Sequence, residues 1–100
     1  MANKAHVQIS NLPVIFLREG KYVVAYTPAL DLTTQGKDLE QTKKRFQEIV
    51  EIFFEELARM DTLETTLSSL GWEKVNSKWN APVIIEHGIQ EVPINIQSNA

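Results

Sequence analysis

Residues 38–59, DLEQTKKRFQEIVEIFFEELAR, decide the fold because they hold the clearest periodic pattern in the chain. Asp38 suits the N-cap of a helix, and Gln41 three positions later completes a capping-box pattern. The sequence therefore predicts an amphipathic helix from Leu39 to Arg59, about 30 Å long at ~1.5 Å per residue. Its apolar side chains recur every three or four positions, as on one helical face; they are Leu39, Phe46, Ile49, Val50, Phe53, Phe54 and Leu57.

The residues before this helix predict three antiparallel strands. Residues 14–17 and 22–26 are rich in β-branched and aromatic side chains, and the polar stretch 18–21 between them contains one glycine, which indicates a hairpin. After Pro28, residues 30–34 alternate in polarity, which predicts a third strand with one solvated face and with Asp31 near its middle. An extended piece from His6 to Ile9 is expected to lead into the sheet.

The residues after the helix predict a second helix and then short extended runs. Asp61 and Glu64 form another capping pattern, Leu63, Leu67 and Leu70 share one face, and Gly71 suits the C′ position. Residues 72–75 and 78–79 flank the turn-prone pair Asn76-Ser77. Pro82 and Pro93 punctuate the runs 83–85 and 94–96, and proline confines such strands to sheet edges. We expect this last stretch to form edge strands or an arm across another subunit.

These elements predict an α+β fold: an antiparallel three-stranded sheet with a long amphipathic helix packed on it, then a short helix and C-terminal edge strands. We expect a single domain over residues 1–100, with its core at about residues 6–60 and a strand-rich arm at about residues 61–100. A chain of 100 residues with 43% hydrophobic side chains can bury a modest core. The absence of cysteine excludes a disulfide scaffold and a thiolate zinc site.

Charge and hydropathy narrow the class of partner. The formal net charge is −3 and the isoelectric point is about 5.3, which argues against nucleic acid as the main partner because such proteins concentrate Lys and Arg. No apolar run approaches the ~18 residues of a membrane span. Residues 1–17 lack the basic start and apolar block of a signal peptide, so we expect a cytoplasmic protein and no membrane partner.

Two stretches, in order and spacing, resemble the HicB antitoxin family. Residues 22–30 read YVVAYTPAL, and residues 34–40 read TQGKDLE ahead of a helix that ends FFEEL at residues 53–57. The family pattern there is an aromatic strand, Pro-x-Leu, a short third strand, Gly and a helix. Residues 30–32 lack the Pro-Gly-Cys that is common in the family, and Asp38 stands where Thr is usual. The chain therefore looks like a stand-alone or truncated member that lacks the C-terminal DNA-binding module.

The resemblance implies a βββα core similar to a shortened RNase H fold, and a non-catalytic function. Family members form dimers or higher homo-oligomers and neutralise a small basic HicA-like toxin that cleaves mRNA, by covering its active site. On this basis we expect an antitoxin-like protein-binding module that binds no DNA. The alternative is a homo-oligomeric structural or accessory protein that kept the fold without a toxin partner.

The chemistry-bearing residues predict no catalytic, cofactor or metal site. A magnesium nuclease needs several converging carboxylates, and Asp31 is the one acid placed to start such a set, because Glu48 and Glu51 fall on the solvent side of the helix. The residual nuclease is thus the third and weakest reading. His6 and His87 lie far apart, with no metal-ligand spacing. The basic cluster at residues 43–45 is interpreted as a solvated helix face.

Candidate partner contacts combine the aromatic strand with the C-terminal stretch. Trp72 and Trp79 have two interpretations, since tryptophan packs in cores and is also enriched at interfaces. Residues 92–97 alternate like a strand that could join the edge of a neighbour's sheet. The expected interface residues are Tyr26, Pro28, Trp72, Trp79, Val92, Ile94 and Ile96.

Overall fold

The computed structural model describes residues 9–97. In that range the chain forms six strands and two helices. In chain order they are β1 (Ile9–Ser10), β2 (Ile15–Glu19), β3 (Tyr22–Thr27), β4 (Leu32–Gly36), α1 (Leu39–Arg59), α2 (Leu63–Ser69), β5 (Glu73–Val75) and β6 (Lys78–Asn80). The α+β class is confirmed, with a three-stranded antiparallel sheet and a long helix packed on it. The start of the predicted His6–Ile9 piece lies outside the described residues.

The first sheet has the order β2-β3-β4, and both pairs of strands are antiparallel. The turn between β2 and β3 consists of two residues, and its first residue is Gly20 with φ +62°, an arrangement typical of a hairpin because glycine adopts positive φ without a Cβ penalty. The predicted hairpin is confirmed. The third strand begins later than predicted, because Asp31 has φ 52° and ends the turn that starts after Thr27. The prediction of Asp31 within a strand was therefore wrong.

Burial alternates along β3 and shows which face of the sheet α1 covers. Val23, Ala25 and Thr27 are buried, whereas the two residues between them are half-buried. Successive side chains of a strand point to opposite faces, so the buried set faces the helix. Thr42 of α1 reaches this face, where its hydroxyl lies 2.9 Å from the Val23 carbonyl oxygen and 2.8 Å from the Asp38 carbonyl oxygen. The helix and the central strand are thus joined by a buried polar contact.

Helix α1 has the predicted bounds. The Asp38 carboxylate accepts a hydrogen bond from the Gln41 backbone N–H at 2.8 Å, and the Gln41 side chain accepts one from the Lys37 backbone N–H at 2.8 Å. The capping box therefore forms, with its return bond one residue before the N-cap. Leu39 is 47% exposed, so its predicted place on the buried face was wrong. Phe54 is buried, and five further side chains are half-buried: Phe46, Ile49, Val50, Phe53 and Leu57.

Helix α2 ends as predicted but begins differently. Asp61 has φ 56° and lies in the turn, and the N-cap is Thr62, whose side chain makes no capping bond. At the other end, Gly71 has φ +88°, and the Trp72 N–H donates to the Leu67 carbonyl at 2.9 Å. This is the Schellman motif, which glycine favours because a Cβ is strained at that φ. The motif turns the chain so that Trp72 enters the core.

A second small sheet, of order β1-β6-β5, closes the other end of the core. β5 and β6 form the predicted hairpin, with Asn76 and Ser77 both at positive φ, and β1 pairs with β6 in parallel. Ile9 therefore joins this sheet and not the first one. The buried core cluster spans the turn after β3, both helices and this hairpin; it contains Ala29, Leu30, Phe54, Leu67, Trp72, Trp79 and Ala81.

Residues 81–97 form no helix or strand. The runs 83–85 and 94–96 therefore pair with no strand of the described chain. Of the two C-terminal strands that form, β5 lies at an edge of its sheet and β6 lies between β1 and β5. The molecule measures 65 × 29 × 28 Å and has a radius of gyration of 17.4 Å, against about 13 Å for a compact chain of this length. The chain is thus elongated.

Two buried threonines should respond in opposite directions to the same substitution. Thr27 and Thr42 are both 0% exposed, but the Thr27 hydroxyl has no hydrogen-bond partner within the described residues. Thr27→Val should raise the free energy of unfolding by about 1 kcal/mol because it removes an unpaired buried polar group, and Thr42→Val should lower it by ~1–3 kcal/mol. Urea unfolding followed by circular dichroism measures both. Equal losses in the two variants would contradict the assignment of an unpaired hydroxyl to Thr27.

Candidate protein-binding surfaces

The face of the first sheet that points away from α1 is apolar over β2 and β3 and polar over β4, where Thr33 and Gln35 pair with Tyr26 and Val24. We call its apolar part, Ile15, Leu17, Val24 and Tyr26, the outer sheet face. Register pairs Ile15 with Tyr26 and Leu17 with Val24, so the four side chains form one patch. Leu17 is 52% exposed and the other three are half-buried. Antiparallel sheets usually carry polar side chains on a solvated face. An apolar solvated patch is typical of a protein–protein contact.

Tyr26 and Pro28 lie at the end of this patch, beside the turn into β4. The Tyr26 hydroxyl donates to the Asp31 carboxylate at 3.2 Å. Desolvation raises the pKa of the Tyr26 hydroxyl, and the hydrogen bond and charge of Asp31 raise it further. Pro28 is exposed in the turn. Asp31 thus orients a tyrosine at the rim of the outer sheet face.

The described residues contain no group of three or more His, Cys, Asp or Glu side chains placed to hold a metal ion. Asp31 lies in the turn after β3, whereas Glu48 and Glu51 are exposed on α1. The basic residues 43–45 make local contacts: the Arg45 guanidinium donates to the Gln35 carbonyl at 2.8 Å, and the Lys43 ammonium lies 5.8 Å from the centre of the Phe16 ring. These two contacts join the start of α1 to β4 and β2.

An apolar groove lies between α1 and the β2 side of the first sheet. Phe16 pairs with the buried Ala25, so Phe16 and Val14 point to the helix side of the sheet. The helix packs over β3 and β4, which leaves the β2 side partly uncovered. The groove has a volume of about 430 Å³ and is lined by Leu12, Val14, Phe16, Phe46 and Val50, with Lys43 and Gln47 at its polar side. It was not predicted, because it joins two segments about 30 residues apart.

Residues 82–97, which we call the arm, expose apolar side chains along most of their length. The predicted interface residues Val92, Ile94 and Ile96 are 62%, 72% and 83% exposed. Val83, Ile85 and Ile89 are exposed as well and were not among the predicted contacts. The signal for Val83 and Ile85 was present, because the run after Pro82 consists of β-branched apolar residues, as does most of the run after Pro93.

Trp72 and Trp79 lie in the core of their own chain. Trp72 is 3% exposed, its indole N–H donates to the Ala29 carbonyl at 2.8 Å, and its ring meets Phe54 edge-on at 6.1 Å. Trp79 is also buried, in the same cluster. In the structure both indoles therefore pack inside their own chain, as one of the two interpretations holds. Neither belongs to the exposed surfaces.

Comparison of the chain with protein-family models, curated proteins and solved structures found no match. Within residues 9–97, no helix has the length and apolarity needed to cross a membrane.

Proposed function

We propose that this chain is a non-catalytic, HicB-like protein-binding module that neutralises a small, basic, mRNA-cleaving toxin by covering its active site. The observation that carries the proposal is the apolar outer sheet face, which lies opposite to α1, the helix that makes the main contacts of the first sheet in the described chain. Steric inhibition of this kind needs an apolar contact surface and no reacting groups. The site of action would be the cytoplasm, where the toxin meets mRNA.

Charge supports the choice of partner. The chain carries a formal net charge of −3, so a basic partner is attracted over several ångströms before contact, which raises the association rate. The resemblance of residues 13–60 to the HicB family indicates the class of partner, a small toxin that cleaves mRNA. Together, surface, charge and resemblance favour a small basic ribonuclease over a DNA operator.

The test is copurification from the native host at low salt, with three successive requirements. A companion must be small and basic by mass spectrometry. Once separated and refolded, it must cleave mRNA, and adding the purified chain back must suppress that cleavage. Failure to recover any such companion, or a companion whose cleavage is not suppressed, would contradict the antitoxin function.

Leu17→Lys is expected to weaken toxin binding at least about tenfold, because it places a charge in the centre of the apolar contact. The matched control is Ile52→Lys, since Ile52 is 62% exposed on the solvent side of α1 and away from the sheet. Titration calorimetry with the purified companion measures both variants. Equal affinities for the two variants would show that the outer sheet face is not the contact.

A second candidate function, a homo-oligomeric structural protein without a toxin, is favoured by one observation. The same chain carries an exposed apolar arm and an apolar groove. Binding between copies would then use surfaces other than the outer sheet face.

A further inference from the structure

We propose that the arm of one copy occupies the groove of a second copy and extends its first sheet along the free edge of β2, so that two chains exchange arms. The proposal rests on the proposed function only in treating the chain as a protein-binding module, and it requires no toxin. It assigns an occupant to the groove and a partner to the arm.

The receiving side has both an unpaired strand edge and an apolar floor. β2 pairs with β3 on one side, and its other edge has no partner strand in the described chain. Backbone groups along such an edge accept an added strand by β-augmentation. Val14 and Phe16 lie directly beside that edge and face Phe46 and Val50 across the groove. An added strand would therefore gain backbone hydrogen bonds and apolar contacts together.

The pattern of the arm matches one added strand. Val92, Ile94 and Ile96 share one face of an extended chain, so that all three can point into the groove while Asn95 points away. Backbone N–H groups also alternate in direction along a strand. Pro93, which has no N–H, therefore falls on the edge opposite to the one that residues 92, 94 and 96 present to β2. Pro93 permits this single pairing and blocks the addition of a further strand.

Charge favours the same pairing. The arm carries Glu86 and Glu91 and contains no Lys or Arg. The groove is lined by one charged residue, Lys43, and by no carboxylate. No carboxylate in the groove repels the acidic arm, and the ammonium group of Lys43 attracts it.

Stoichiometry fits a closed pair. Each chain has one arm and one groove, so reciprocal exchange about a two-fold axis satisfies both copies without leaving an open end. The contact between arm and groove is then made twice in the dimer, which doubles the area that a single contact would bury.

The first test measures the molecular mass of the full chain without any partner, by sedimentation equilibrium. The expected mass is twice the 11.4 kDa of the monomer. Ile94→Asp should raise the dimer dissociation constant at least about tenfold, because it places a charge in the apolar groove. The matched control Asn95→Asp adds the same charge on the opposite face of the same segment and should leave the constant within about twofold. A monomeric wild-type chain, or equal constants for the two variants, would overturn the proposal.

The second test locates the contact and exploits the absence of cysteine from the chain. A Val14→Cys variant is mixed with Val92→Cys, Ile94→Cys or Ile96→Cys under oxidising conditions. Disulfides need Cα atoms about 4.4–6.8 Å apart, so at least one mixture should yield a mixed disulfide dimer. Cross-linking within one chain, in a variant that carries both cysteines, would instead show that the arm folds back on its own groove and would overturn the exchange.

The outcomes separate this inference from the proposed function. An arm-dependent dimer that has no toxin companion supports the exchange and contradicts the antitoxin function. A monomer whose toxin binding is lost in Ile94→Asp overturns the exchange and leaves the antitoxin function standing, with the arm as part of its contact.

Discussion

Replacing Trp72 by alanine is expected to lower the free energy of unfolding by about 3–5 kcal/mol, which is the usual cost of removing a buried tryptophan. Trp72 is buried between the turn after β3 and helix α1, in contact with Ala29 and Phe54. The substitution therefore opens a cavity where residues 62–81 pack on the first sheet and its helix. Since a small domain is stable by only ~5–15 kcal/mol, much of the margin would be lost.

The variant Trp72→Phe separates packing from hydrogen bonding. Phenylalanine keeps a ring against Phe54 but leaves the Ala29 carbonyl without its donor, so the expected loss is smaller, about 1–3 kcal/mol. Urea unfolding followed by far-ultraviolet circular dichroism measures both variants, since Trp79 complicates a fluorescence signal. If Trp72→Ala unfolds at the same urea concentration as the wild type, residues 62–81 do not share a core with the sheet.

Replacing Gly36 by alanine is expected to cost up to about 3 kcal/mol, because there is no room for a methyl group. A Cβ at this position would lie 2.7 Å from the Thr42 hydroxyl oxygen, 2.9 Å from the Thr42 backbone nitrogen and 3.1 Å from the Gln41 side-chain oxygen. The backbone nitrogen belongs to the first turn of α1 and cannot move without shifting the helix. Thermal unfolding should show the loss directly.

Gly88→Ala is the matched control for this substitution. A Cβ at Gly88 meets nothing within 4 Å, and its φ is not in the positive region. The exchange should therefore change the free energy of unfolding by less than about 0.5 kcal/mol, as for an ordinary surface substitution. Equal stability of Gly36→Ala and Gly88→Ala would mean that α1 does not approach β4 as closely as the structure has it.

The sequence predicted the features that depend on residues close together in the chain. The bounds of α1 follow from the Asp38 cap and from a periodic apolar pattern, and the C-terminus of α2 follows from Gly71, whose φ is set by the turn itself. The Asn76-Ser77 hairpin is of the same kind. Each of these features depends on residues only a few positions apart in the sequence.

Contacts between distant segments explain the features that were missed. Gly36 does not have a positive φ, and glycine is required there because Thr42 approaches it. Thr42 has the polarity of a surface residue and is nevertheless fully buried, because its hydroxyl meets a carbonyl of β3. Asp31 alternates like a strand residue, yet the chain is still turning at that position.

The candidate surfaces divide in the same way. The apolar alternation of residues 92–96 and the apolar strand around Tyr26 are both visible in the sequence. In the structure the first is exposed, whereas the strand around Tyr26 is buried on its helix side and half-buried on its outer side. The groove is not visible there, since it exists only where α1 leaves the β2 side of the sheet uncovered. Likewise, composition alone could not decide between core and interface for the two tryptophans.

By itself the sequence determined the helices, the hairpins and the class of the fold, because periodicity, caps and turn residues act over one or two turns of chain. Only the tertiary structure decided which apolar side chains are left without a partner, since that depends on where α1 crosses the sheet and on the direction in which the chain leaves the core after Ala81. Burial is a property of packed elements, and a strand of Val and Ile has the same sequence whether it is covered or exposed.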